Sequence, residues 1–297
     1  MAKRRKKISN TTKVSGNAGA KSTDSPAIVG ASISAVIVAV AVTILMAVSA
    51  YARNAPWTTE LSVWEDTLEK SPAKARPHNN MGFTYHALER IEDAAREYKL
   101  ALRANPAHYM ASFNLANAYV ELERMEEAIV YYTRAVKLSP DYAKGHFNLG
   151  NTYKALGREY EAIAAYDDAL KYQPDYPEVY NNLGSIHNDA GRLDEAVEAY
   201  SLALEQKDGL YANANNNLGV VYAKKRDIEM AVKHFKAAIA VDSEYSGAYN
   251  NLATLYASLG RYEEAIDKFE ELLAFKPDDT RAIKGIALIK ARLKGRL

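Results

Sequence analysis

The 297-residue chain is predicted to be an all-α solenoid of six stacked helical hairpins, preceded by a single apolar helix. Three observations predict it. A 34-residue pattern recurs six times between Ala75 and Asp279, each copy holds two apolar stripes at helical spacing, and a turn signal such as Ala155-Leu156-Gly157-Arg158 breaks each copy midway. A small residue marks the register at Gly82, Ala116, Gly150, Gly184, Gly219 and Ala253, in steps of 34, 34, 34, 35 and 34. A ring follows three residues later (Tyr85, Tyr119, Tyr153, His187, Tyr222, Tyr256), and an aromatic sixteen later (Tyr98, Tyr132, Tyr166, Tyr200, Phe235, Phe269). Four units close on Pro106, Pro140, Pro174 and Pro277, since proline cannot continue a helical hydrogen-bond ladder. No unit can bury its stripe alone, so a strict period of this length means a stack with a continuous core.

These positions carry the tetratricopeptide-repeat pattern, and residues 75–279 are identified as an array of that family: 75–108, 109–142, 143–176, 177–211, 212–245 and 246–279. The resemblance implies a right-handed superhelix whose first helices line a concave face. Within each unit the small residue is expected to let the two helices approach, and the second-helix aromatic to fill the space against the next unit.

Before the repeats, residues 1–26 hold seven Lys/Arg against Asp24 alone and almost nothing apolar, which predicts a disordered basic tail. Gly16 to Thr23 mimics a phosphate-binding loop, but Ala20 rather than glycine stands directly before Lys21, and no strand leads into it. Residues 27–50 contain no charge over 24 positions, enough for a transmembrane helix. A cleaved signal ending at Val48-Ser49-Ala50 is the rival reading, though its apolar run would be unusually long. The cations before the span place the tail in the cytoplasm and the repeats outside it, in a bacterium at the periplasmic side of the inner membrane. Residues 51–74 form a linker and capping helix, with Trp64 in the register of Tyr98. Arg53-Asn54, Trp57, Leu61 and Trp64 resemble the junction in membrane glycosyltransferases that carry a tetratricopeptide tail, whose catalytic parts are missing here.

After the repeats, residues 280–297 are predicted to be a capping helix with Ile283, Ile286, Leu293 and Leu297 near one face and six Lys/Arg on the other. Both ends are basic, while 25 basic and 36 acidic residues lie between them, which argues against a nucleic-acid groove. The chain has no cysteine, no His-Glu-x-x-His and no Gly-x-Ser-x-Gly, so neither an enzyme site, a metal site nor a cofactor is expected.

Recognition is expected in the groove. Asparagine recurs at one register position in every unit: Asn80, Asn114, Asn148, Asn182, Asn217 and Asn251. A carboxamide both donates and accepts, so such a column can hold a peptide backbone. It resembles the asparagine ladder in the repeat arm of O-linked N-acetylglucosamine transferases. Routine service to neighbouring polar groups is the other reading. Phe113 and Phe147 precede the column in two units, and Asn117 and Asn151 follow it in the same two. The rings are read as anchors for a hydrophobic stretch of a partner, or else as packing within their helix pairs. The expected function is a membrane-anchored scaffold that binds an extended peptide or helix of a protein partner during assembly of a membrane complex. The alternatives are an accessory arm of a glycosyltransferase or polysaccharide-export system, and self-association.

Overall fold

The computed structural model describes residues 38, 40–49 and 59–295. The basic tail and the whole of the 51–58 junction, with Arg53, Asn54 and Trp57, lie outside the described residues, as does much of the apolar run. Of that run, residues 40–49 are helical and exposed, and among the described residues no helix is long and apolar enough to cross a membrane.

The repeat body is helical throughout. A lone helix α1 (Glu60–Lys70) leads into six hairpins: α2 (Ala75–Ala87) with α3 (Ile91–Ala104), α4 (Tyr109–Glu121) with α5 (Met125–Leu138), and α6 (Ala143–Ala155) with α7 (Glu159–Tyr172). The stack continues with α8 (Pro177–Asp189) and α9 (Leu193–Glu205), α10 (Ala212–Lys224) and α11 (Ile228–Val241), and α12 (Ser246–Ser258) and α13 (Tyr262–Phe275), closed by α14 (Thr280–Lys294). Each first helix begins on the first residue of its unit.

Packing within a hairpin follows from the small-residue register. A Cβ placed on Gly150 would stand 2.6 Å from the Tyr166 ring, so glycine is what allows α6 and α7 to close together. Tyr98, Tyr166, Tyr200 and Phe235 likewise cover the glycine of their own unit, not only the space toward the next. All six rings of this register are 3% exposed or less. Burying one stabilises the stack by about 1.5–3 kcal/mol.

Each turn has one residue in the left-handed region, at Glu89, Glu123, Gly157, Gly191, Arg226 and Gly260. An arginine follows in five units and braces the corner. Arg90, Arg124, Arg158 and Arg261 stack on Tyr85, Tyr119, Tyr153 and Tyr256 at 4.3–4.7 Å, and pair with Asp93, Glu127, Glu161 and Glu264. In these four units the acids at the start of the second helix therefore serve an ion pair as well as the helix dipole. His187, half-buried in the ring column, accepts from Arg192 Nε at 3.0 Å.

The prolines are not what ends the second helices. α11 stops at Val241 in the same register as α13 at Phe275, yet only the latter is followed by proline. The extra residue near Lys207–Gly209 lies between α9 and α10, where Asn215 Nδ2 donates to the Gly209 carbonyl at 3.0 Å. The Lys224–Arg226 cluster is tied as well, Lys224 Nζ reaching Asn188 Oδ1 at 2.8 Å and Lys225 pairing with Asp194.

The buried face of α14 differs from the expected one. Ala282 and Ile289 are buried and Ile286 half-buried, whereas Ile283 and Leu293 are 47% and 39% exposed. Residues 282, 286 and 289 share one helical face; Ile283 turns away from it. Leu297 lies outside the described residues.

Candidate functional site: an asparagine rail and the hollows beside it

Asparagine is a poor residue for a helix interior, because its amide competes with the backbone for hydrogen bonds. Six of them mid-helix at a 34-residue step therefore need partners, and the structure provides these across the repeats. Asn114 Nδ2 donates to Asn79 Oδ1 at 3.1 Å, Asn148 to Asn117 at 3.1 Å, Asn182 to Asn151 at 2.7 Å, Asn217 to Asn181 at 3.1 Å, and Asn251 to Asn216 at 2.9 Å. Arg281 on α14 then donates to Asn251 Oδ1 at 3.4 Å. The column joins each unit to the one before it in a continuous rail. All six of its residues, and Asn117 and Asn151, are half-buried.

The rail explains the uneven pattern around it. In the first, fourth and fifth units the acceptor is the residue just before the column: Asn79, Asn181 or Asn216. Phe113 and Phe147 occupy that place in the second and third units, and there the acceptor moves one turn along to Asn117 and Asn151. These two amides also accept from the ring phenols, Tyr132 Oη at 2.5 Å and Tyr166 Oη at 2.7 Å. Burial pushes both phenols well above the ordinary tyrosine range, while the column amides pull the other way. They remain protonated donors.

The two phenylalanines do not stand open as anchors. Phe113 is 4% exposed, with its ring 5.6 Å from Tyr132 and edge-on to Tyr142 at 5.1 Å. Phe147 is half-buried between Tyr166, at 6.1 Å, and Tyr176, at 4.9 Å. A ring closed in this way has no face left for a ligand, so the expected anchor at Phe113 is corrected to a core side chain.

Beside the rail are hollows in matching register. One of about 380 Å³ is lined by Asn117, Asn148, Asn151 and Tyr132, with Lys144, Glu121 and His86 at its edge. A second of about 370 Å³ lies between α12, α13 and α14; Phe269 replaces Tyr132 there, Gly285 replaces Asn148 and Leu288 replaces Asn151. A third of about 250 Å³ is formed by Trp64, Asn80 and Phe83. The position three residues after the column thus runs Phe83, Asn117, Asn151, Ser185, Val220, Thr254, Leu288. Its two ends are apolar, with Phe83 61% and Leu288 71% exposed. Sequence reasoning placed the apolar patch at Phe113 and Phe147 and missed this row. The signal was the same 34-residue step, followed one turn further along.

Models of the tetratricopeptide repeat match residues 75–108, 147–211 and 210–278, and a TPR-repeat model matches 116–157. No curated protein matches the chain in sequence. Among solved structures it is similar to the APC/C hetero-tetramer Cut9-Hcn1, at 20% identity and a TM-score of 0.61 over 76% of this chain; it spans 45% of that one. YrrB, described as a TPR protein with an unusual peptide-binding site, matches at 24% and 0.53, covering 62% of this chain and 95% of its own. MamA matches at 26% and 0.52, covering 55% and 95%. At such identities the likeness to Cut9-Hcn1 and YrrB is one of fold. With the helix bounds, the left-handed turns and the ring-over-glycine packing all in the register of those family matches, the chain belongs to the tetratricopeptide-repeat proteins.

Proposed function

We propose that this chain is a membrane-anchored scaffold that holds an extended segment of a protein partner along the rail. The uncharged run 27–50 supports the anchor, and the basic tail before it supports an orientation with the repeats outside the cytoplasm. One observation carries the binding reading. The rail engages the amide hydrogens of each column asparagine from Asn114 onward, and among the described residues no donor reaches Oδ1 of Asn114, Asn148 or Asn182. Three half-buried acceptors one repeat apart suit the N–H groups of an extended backbone and read little of its sequence. The central hollow adds a cation and a carboxylate, Lys144 and Glu121.

A photo-crosslinking residue at Ala155, exposed on the rim of that hollow, tests this in cells. Discrete protein partners are expected, with capture falling several-fold in Lys144→Glu and Asn148→Ala. Capture unchanged by both substitutions, or no capture, overturns the groove reading. Capture of a glycosyltransferase identifies the chain as that enzyme's accessory arm. The anchor is checked separately by a reporter fused after Leu297, which should read as extracytoplasmic; a cytoplasmic signal overturns the orientation.

A further inference from the structure

The two ends of the stack complement each other. Trp64 on α1 stands 34 residues before Tyr98, in the ring register. The six rings of the repeats are 3% exposed or less, whereas Trp64 is half-buried and α1 has no buried residue at all. At the other end, Ala287 stands 34 residues after Ala253, in the small-residue register. The six small residues of the repeats are all buried, yet Ala287 is exposed, and Ile283 one turn before it is 47% exposed. This is the face on which a first helix receives the ring of its own second helix, as Gly150 receives Tyr166. Hence α1 has the form of a second helix and α14 of a first helix, each with its partner face uncovered among the described residues.

Their charges match as well. α1 carries Glu60, Glu65, Asp66 and Glu69 against Lys70, while α14 carries five Lys/Arg and no acid. Register also fixes which positions would meet. The Ala94 carbonyl lies 3.1 Å from a Cβ built on Gly82, so the equivalent pair, Glu60 and Ala287, falls together if α1 is laid on α14.

We infer that the chain associates with copies of itself head to tail, α1 of one copy docking on α14 of another, with Trp64 covering Ala287 and Ile283 to make a seventh hairpin. This contact joins two different surfaces, so it does not close at a dimer but propagates. Burial of an indole supplies the attraction, and the opposed charges orient it. The inference is independent of the groove reading, since the surfaces involved are the two ends of the stack.

Sedimentation velocity on the full chain in mild detergent tests it. Assemblies are expected to grow past a dimer with concentration and to shrink as salt rises. Ala287→Arg and Glu60→Lys, both at exposed positions, are each expected to return the chain to monomer with its helical circular dichroism unchanged. The chain has no cysteine, which permits a second readout. Mixing a Glu60→Cys chain with an Ala287→Cys chain is expected to give a disulfide-linked pair, and neither chain alone should do so. A monomer at every concentration, a dimer indifferent to Ala287→Arg, or cross-linking of the Glu60→Cys chain with itself overturns the inference.

Discussion

Asn117 shows how one side chain serves both fold and face. It accepts from the buried Tyr132 phenol and from Asn148 of the next unit, so Asn117→Ala leaves two donors without their acceptor. The expected cost is about 1–3 kcal/mol, read from the denaturation midpoint, with no change in helix content at low denaturant. A gain is expected at Glu123, which holds φ of 59° at a corner where other units place glycine. Glu123→Gly relieves that strain against a larger unfolded-state entropy, and should raise stability by about 0.5–1 kcal/mol. The rail positions were legible in the sequence as a column of amides. What that sequence pattern did not reveal is that Phe113 and Asn117 are a linked choice: the ring takes the usual acceptor's place, and the amide one turn along replaces it. Only the distance across two helices discloses such a substitution.

At the scale of the helix, α14 depends on its cap. Asp279 Oδ1 accepts from the backbone N–H of Ala282 at 3.0 Å and of Arg281 at 3.2 Å, and from Asn250 Nδ2 at 3.4 Å. Desolvation pushes this carboxyl up, but these hydrogen bonds and Lys276 outweigh it and hold it below the ordinary aspartate value. A depressed folded value means that the contribution is present above the unfolded pKa of about 3.9 and is lost as pH falls through the folded one. Asp279→Ala should therefore cost about 0.5–2 kcal/mol at neutral pH, and the difference in melting temperature between the two proteins should shrink below about pH 4. Helix starts and the hairpin order were legible because the period is strict. The phase of α14 was not. Five isoleucines and leucines in a stretch of fifteen allow several faces, and the packing of Ala282 and Ile289 chose among them.

For the whole molecule, the same 34-residue step fixes the fold, the corner braces, the rail and the row of hollows. A one-residue change of phase would dismantle all four together, and the insertion near Lys207 is accommodated because it lies between helices and is tied by Asn215. The rail also has a direction. Each rung donates toward the N-terminal neighbour, from Arg281 back to Asn79, so the carboxamides are oriented in a single sense along the chain. A ligand N–H that settles on Asn148 Oδ1 would draw electron density from that amide and make its hydrogens stronger donors to Asn117. Occupancy would thus stiffen the joint behind the occupied rung and leave the joint ahead of it as it was. Amide exchange with a bound peptide should slow in α4 and α5 more than in α8 and α9, so the polarity of the rail would be read as an asymmetry of stiffness about the bound segment.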